Sequence, residues 1–406
     1  MSGLLTLGFV AGESSGDQLG AALITALRAR VPQLHCFGVC GPAMRAAGCE
    51  AWADSHTLAV MGLIEPIRHL PRLARLRRRL HHRFLQERPH AFIGIDAPAF
   101  NLGLAAGLKA AGLTTIQYVS PQVWAWRQGR VHGIGRACDL VLCLYPFEPG
   151  FYARHGVRAV FVGHPLADQV PLDPDRQGSR AALGLAGTDT VVALLPGSRL
   201  GEVQRLGEDF LRAAAWLHAR HPAVFVAPMA SAAVRQVFEA QRSAVAPGLA
   251  LTLLDGRARE ALAAADAVLV ASGTATLEAL LAKRPMVVAY RFSALTAFLV
   301  RRLGLIKVRY FSQPNLLCER PLVPEFAQEQ VTATALGQSL LDQLQDVAGR
   351  AVLEQAFRRV HEQLRVNGAD RAAQAVLGLL QQTGGLEAGA VPGGGLGPGP
   401  GAGAGA

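Results

Sequence analysis

Four segments of this chain set hydroxyls, carboxylates or an arginine beside glycine or proline just where a short apolar run ends. The first is Gly12-Glu13-Ser14-Ser15-Gly16-Asp17, between the apolar run Leu4 to Val10 and a helical stretch that includes Leu19 to Leu27. Its glycines allow close backbone approach to a ligand, and a helix start favours oxyanions. The plainer alternative is an N-cap in which Ser14 or Ser15 accepts from free backbone N–H groups. The second, Ile95-Asp96-Ala97-Pro98, ends a strand in a carboxylate that could take the proton of an attacking hydroxyl; Asp before a Pro-containing first turn is also an ordinary helix cap. The third, Pro196-Gly197-Ser198-Arg199 with Glu202 one turn on, offers a guanidinium fork suited to a diphosphate, or a surface pair between Arg199 and Glu202. The fourth runs Ala271-Ser272-Gly273-Thr274-Ala275-Thr276-Leu277-Glu278. Hydroxyls and free N–H groups at that helix start suit phosphate, and Glu278 can accept from both ribose hydroxyls; helix-dipole stabilisation is the alternative.

Two further groupings resemble metal sites in spelling only. Asp173-Pro174-Asp175 lies in a Pro-rich connection where Asp-Pro starts turns, and His81-His82 lacks spaced acid or His partners. No metal and no cofactor is expected.

Elements that position such loops are visible along most of the chain. Strand candidates Leu4 to Val10, Ala91 to Ile95, Thr114 to Val119, Leu140 to Leu144 and Ala159 to Val162 alternate with helical stretches, and Val191 to Leu195, Val224 to Ala227, Leu251 to Leu254, Ala267 to Val270 and Met286 to Tyr290 repeat the pattern. This is an α/β chain with two doubly wound parallel sheets. Gly163-His164-Pro165 and the following PLDPDRQGSR read as the connection, which puts one domain at 1–165 and the second from 166. Ligands bind at the carboxyl ends of such strands, so a cleft between two facing domains is the expected location of chemistry.

The 406 residues carry 40 Lys and Arg against 30 Asp and Glu, a net +10 that favours anionic partners. Residues 66–86 concentrate it, with Arg68, Arg72, Arg75, Arg77, Arg78, Arg79 and Arg83 and no acid. Met61, Leu63, Ile64, Ile67, Leu70, Leu73, Leu76 and Leu80 interleave with these arginines. They could form a surface that inserts shallowly into anionic lipid, or a core-facing stripe with a solvated basic back. Phe298, Leu299 and Val300 before Arg301 and Arg302 form a second such candidate. The basic run lacks interleaved aromatics, which argues against a nucleic-acid partner. The six cysteines form no CxxC pair and read as thiols. The N-terminus lacks the basic region of a secretion signal, and no apolar stretch approaches the roughly 20 residues of a spanning helix. Residues 384–406 are almost wholly Gly, Ala and Pro and read as a disordered tail.

Several motifs in this order resemble the lipid A disaccharide synthase family: AGESSGD (11–17), GCEAW (48–52), LAVMG (58–62), GIDAPAFN (94–101), YVSPQVWAWRQGRV (118–131), ALLPGSRLGEV (193–203), LLDG (253–256), ASGTATLEALLAKRPMVVAYR (271–291) and QPNLL (313–317). The likeness extends from about Leu4 to Leu380. Ser14, where Thr is also expected, and Gln313, where an apolar residue is common, depart from the family spelling. The resemblance implies a GT-B architecture in which the second, UDP-sugar-binding domain is 166–346 and the last helices, about 347–380, pack back on the first, acceptor-binding domain. It implies transfer from UDP-2,3-diacylglucosamine to 2,3-diacylglucosamine 1-phosphate with inversion, giving a β(1→6) disaccharide 1-phosphate and UDP. By the same resemblance Asp96 is the general base, and Gly12, Glu13, Ser15 and Gly16 belong to the cleft loop. Arg199, Glu202, Ser272, Gly273, Thr274, Thr276, Glu278 and Asn315 hold the UDP part. It further implies a peripheral place on the cytoplasmic face of the inner membrane, where Met61, Leu73, Leu76, Arg77, Arg78, Phe298, Arg301 and Arg302 meet lipid or acyl chains; a homodimer is among the expected assemblies. The rival readings are another GT-B UDP-N-acetylglucosamine transferase or epimerase, and a nonenzymatic basic membrane-binding module. A dehydrogenase is disfavoured, because no dinucleotide fingerprint follows either first strand.

Overall fold

The computed structural model describes residues 4–58, 66–125, 128–291 and 309–385, with only the backbone for 66–70. The chain divides into two compact units, Met1–Pro165 with Val366–Ala406, and Leu166–Arg365.

Unit 1 is built on a seven-stranded sheet: β1 (Leu5–Ala11), β2 (Leu34–Cys40), β3 (Cys49–Asp54), β4 (Ala91–Ile95), β5 (Thr114–Tyr118), β6 (Leu140–Cys143) and β7 (Ala159–Phe161). All pairings are parallel, in the order β3-β2-β1-β4-β5-β6-β7. Every residue of β4 and β6 is buried, which is why these runs are continuously apolar rather than alternating. On one face of the sheet the core joins Leu7, Phe9 and Ile93 to Leu23 and Leu27 of the helix Ser14–Arg28 and to Ala372, Val376 and Leu380 of the helix Gly368–Gln382. The i, i+4, i+8 spacing of those last three lays an apolar stripe on the sheet, and an Arg30–Asp370 ion pair of 2.7 Å fastens its start.

The other face packs Val10, Phe37 and Phe92 against Leu104 and Leu108 of the helix Pro98–Ala110 and Leu80 and Phe84 of the helix Pro66–Glu87. Leu73 and Leu76 also pack on this cluster, while Arg72, Arg75, Arg77, Arg78 and Arg79 are exposed. The leucines assigned to lipid contact therefore face the protein core, because burying them there removes the same apolar area from water, and the solvated basic back is what remains. Met61, Phe298, Arg301, Arg302 and the tail from Leu386 lie outside the described residues.

Unit 2 holds β8 (Val191–Leu195), β9 (Val224–Met229), β10 (Leu251–Asp255), β11 (Ala267–Ala271), β12 (Met286–Tyr290) and β13 (Glu325–Ala327), parallel in the order β10-β9-β8-β11-β12-β13. Phe210 and Leu217 of the helix Leu200–His218 meet Phe225, Phe238 and Leu336 in its core. The helix Val347–Leu364 belongs to this unit, which corrects the expectation that 347–380 packs as a block on the first domain. It lies against the helices Thr274–Leu281 and Gln313–Cys318, and its buried His361 places Nε2 2.9 Å from the Ala167 carbonyl and Nδ1 2.5 Å from Lys283 Nζ. Asn367, in the left-handed region at φ 57°, ends that run, so only the helix Gly368–Gln382 returns to unit 1.

Candidate active site

In unit 1 the chain order reverses between β1 and β4, which pair with Ala11 level with Ile95. The carboxyl edge at such a reversal is the usual ligand position in these sheets. Gly12 and Asp96 are the first residues beyond the paired ends. A Cβ at Gly12 would stand 2.5 Å from the Ala97 Cβ, so glycine lets the two loops touch. Glu13 is the N-cap of the following helix but makes no side-chain cap bond, and Ser14 and Ser15 are exposed in its first turn. Neither serine is the expected cap. Gly16 is buried against Ile95, and Asp17 turns inward to accept from the N–H groups of Gly41 (2.7 Å), Ala43 (2.8 Å) and Met44 (3.2 Å). Asp17 thus ties down the β2 loop, leaving Glu13, Ser14 and Ser15 as the exposed polar residues at the start of the segment.

Asp96 is not a helix cap: the N-cap of Pro98–Ala110 is Ala97. Asp96 and Ala97 both lie in the left-handed region, at φ 51° and 41°, and on the neighbouring strand end so does Val119, at φ 72°. Each costs on the order of 1–3 kcal/mol, most plainly the β-branched Val119, and such strain gathers where a side chain must be aimed. Asp96 borders a cavity of about 270 Å³ together with Pro98, Val119, Ser120, Pro121, Gln122, Val123 and Arg130. Burial pushes its carboxyl above the usual range, opposed by a hydrogen bond from the Ala97 N–H. Behind the cavity, Glu148 is buried and accepts from Trp124 Nε1 (3.1 Å) and Tyr145 N (3.0 Å), with its pKa pushed up to about 7, chiefly by desolvation. Ser120 Oγ lies 3.0 Å from the Tyr152 hydroxyl.

Unit 2 repeats the plan. Its order reverses between β8 and β11, with Leu195 level with Val270, so the 196–199 and 272–276 loops are neighbours. Gly197, at φ 133°, leaves room for Glu202, whose Oε2 accepts from Ser198 N (3.0 Å) and Arg199 N (3.3 Å). Glu202 therefore shapes the turn. The Arg199 side chain is 71% exposed and 3.9 Å from Glu202, a loose surface pair that leaves its fork available. In the adjacent loop Ser272 Oγ donates to Phe311 O (2.8 Å), and Thr276 Oγ1 donates to Gly273 O (2.8 Å) and accepts from Gln313 N (3.2 Å). These hydroxyls hold the loop, while Gly273 and Thr274 are exposed at the helix start. Glu278 is half-buried and held above the usual carboxylate range by desolvation, which Arg259 partly offsets. Its carboxylate makes no hydrogen bond among the described residues.

Asn315 differs from its sequence assignment. Nδ2 donates to Val323 O (2.9 Å) and to the Glu325 carboxylate (2.8 Å), and Oδ1 accepts from Leu322 N (2.7 Å) and Val323 N (2.9 Å). A side chain with every donor and acceptor engaged and 1% exposure holds the 311–323 turn and has nothing left for a ligand. Glu325, which sequence reasoning missed, completes that turn by accepting from Phe311 N, Ser312 N and Ser312 Oγ. The cavity residues Val119, Ser120 and Arg130 also went unassigned, although the YVSPQVWAWRQGRV motif contains all three. Asp173 pairs with Arg358 and Asp175 caps the helix Arg176–Ala182 through Gly178 N (2.8 Å), so that DxD spelling serves structure. Among the described residues no group of three His, Cys, Asp or Glu could hold a metal.

Two parallel-sheet α/β domains, each with its loops at the point of strand reversal, define the GT-B class, and solved structures of that class superpose on most of the chain. A putative UDP-N-acetylglucosamine 2-epimerase from Listeria monocytogenes matches at TM-score 0.62 and 12% identity, covering 94% of this chain and 97% of that one. A calicheamicin glycosyltransferase matches at 0.59 and 16%, covering 94% and 99%. At such identities the likeness is one of fold. The family follows from sequence: the lipid-A-disaccharide synthetase family model matches residues 7–376. Lipid-A-disaccharide synthases of Sodalis glossinidius (51% identical, 93% of this chain, 99% of the relative), Escherichia coli (50%, 93%, 98%) and Xanthomonas campestris (49%, 93%, 86%) align over nearly its whole length. This chain belongs to the lipid-A-disaccharide synthetase family.

Proposed function

We propose that the chain is an inverting glycosyltransferase that joins UDP-2,3-diacylglucosamine to 2,3-diacylglucosamine 1-phosphate, giving the β(1→6) disaccharide 1-phosphate and UDP. The observation that carries this reading is Asp96, a desolvated carboxyl on strained backbone at the edge of a sugar-sized cavity. In the proposed reaction the Asp96 carboxylate takes the proton of the acceptor 6-hydroxyl as that oxygen attacks the donor C1 from the face opposite the diphosphate. The C1–O bond breaks, its electron pair leaves on UDP, and the anomeric configuration inverts. Arg130, the cation of the cavity lining, suits the phosphate at the far end of the acceptor sugar. In unit 2, Arg199 and the N–H groups at the Gly273–Thr274 helix start receive the negative charge that develops on the leaving diphosphate, and Glu278 accepts from the ribose hydroxyls.

Acylated sugars reside in membranes, and the exposed arginines of Pro66–Glu87 provide a cationic face for an anionic leaflet. A peripheral association with the cytoplasmic face of the inner membrane is proposed on that ground; among the described residues no helix is long and apolar enough to cross a membrane. The test is to incubate the purified protein with acceptor and either UDP-2,3-diacylglucosamine or UDP-N-acetylglucosamine, and follow UDP release. Turnover of the diacyl donor alone is expected. Turnover of the unacylated donor alone would overturn the substrate assignment.

A further inference from the structure

We propose that Asn101 and Gln117 form a paired amide clamp that positions the Asp96 carboxylate, an inference that rests on the reading of Asp96 as the base. Neither side chain reaches the cavity; they are 0% and 1% exposed. Asn101 extends from the helix Pro98–Ala110, and its Nδ2 approaches Asp96 O (2.8 Å), Ile95 O (3.2 Å) and Val10 O (3.3 Å). Gln117 extends from β5, and its Nε2 approaches Asp96 O (3.1 Å), Tyr118 O (3.2 Å) and Val119 O (3.3 Å). The carbonyl common to both sets is that of Asp96.

Carbonyl oxygens crowd each amide nitrogen, so the amide orientation is fixed: turned over, each would set oxygen against three oxygens. Asn101 Oδ1 and Gln117 Oε1 are consequently buried with no hydrogen-bond partner among the described residues. That arrangement is unfavourable for a residue needed only as filling, since an apolar side chain of similar size would bring no stranded amide oxygen of its own. Gly94 makes space between the two: a Cβ there would stand 2.9 Å from Asn101 Cβ and 3.2 Å from Gln117 Oε1. Through these contacts the amides fasten Asp96 at φ 51° and Val119 at φ 72°, conformations that the side chains of those residues disfavour. The clamp holds Asp96 by its own backbone carbonyl and engages neither carboxylate oxygen.

Asn101→Leu and Gln117→Met remove the donors at nearly constant volume. For each, kcat, both KM values, UDP affinity and thermal midpoint are measured, alone and with Asp96→Asn. The clamp predicts a fall in kcat of about tenfold to a hundredfold with UDP affinity unchanged, because a misaimed base slows chemistry without touching the nucleotide. It also predicts that on an Asp96→Asn background the same substitutions change the residual turnover by less than about twofold, since they act through a carboxylate that is already gone. Equal losses with and without the Asp96 carboxylate, or a lowered midpoint with kcat intact, would overturn the clamp while leaving the base assignment standing. Full turnover in Asp96→Asn alone would overturn both. Should the apolar variants fail to fold, Gln117→Asn keeps a buried amide with shorter reach, and its loss of kcat must likewise vanish without Asp96.

Discussion

The strand reversals of the two units share a topology and differ in charge. At β1/β4 the charged side chains are acidic: Glu13 and Asp17 at the helix start and Asp96 opposite, so carboxylates already stand near the positive end of the helix dipole. At β8/β11 the helix Thr274–Leu281 has no acid in its first turn, Gly273 and Thr274 are exposed, and Arg199 stands on the neighbouring loop. The fold sets where a ligand can lie, and the side chains set which one. A second difference is mechanical. Both sites hold a carboxyl lifted by desolvation, yet Asp96 sits on left-handed backbone while Glu278 sits on a regular helix. The base proposed for Asp96 must be aimed at one proton, whereas the carboxylate proposed to accept from hydroxyls already held by their nucleotide needs less.

Asp96→Asn should cut kcat by about 10²- to 10⁴-fold, the range of lost acid-base catalysis. In the wild type the acidic limb of kcat against pH should lie above the ordinary carboxylate range, because the proposed base works only when ionised and burial raises the Asp96 pKa; turnover falls as pH drops through that value. Glu148 bears on stability. Its folded pKa of about 7 exceeds the ordinary carboxyl value of 4.5, so between these the folded state binds more protons than the unfolded. Stability therefore declines as pH rises through this window, by about 3 kcal/mol at most, and the decline should be absent from Glu148→Gln in denaturant titrations at pH 5 and pH 8. Arg199→Ala should lower kcat/KM for the donor by roughly 30-fold, corresponding to about 2 kcal/mol for one charge-assisted contact, and leave the acceptor KM in place. An equal rise in the acceptor KM would blur the division between units.

The long apolar strands, the two sheets and the four loops were legible because each loop follows a run buried on both faces. The strand β2 escaped because His35 and Gly38 interrupt its apolar run; Gly38, at φ 143° beside a register shift, is needed where a Cβ would fall 1.9 Å from Phe9 O. The strand β13 has only three residues, too few for any periodicity. Side-chain direction was the larger gap. Asn315, Glu202, Ser272 and Thr276 have the residue types of a nucleotide site, and their spacing alone could not show that their polar atoms turn toward their own loops. Nor does the stripe Leu73, Leu76, Leu80 distinguish a lipid from the Phe37–Phe84 cluster as its partner.

The division of labour is tested most directly by titrating UDP into the wild-type protein, Asp96→Asn and Glu278→Gln by calorimetry. Asp96→Asn should bind with wild-type affinity and Glu278→Gln about tenfold more weakly, near 1.4 kcal/mol for the altered ribose contact. Weakened binding in Asp96→Asn with Glu278→Gln unaffected would contradict that division.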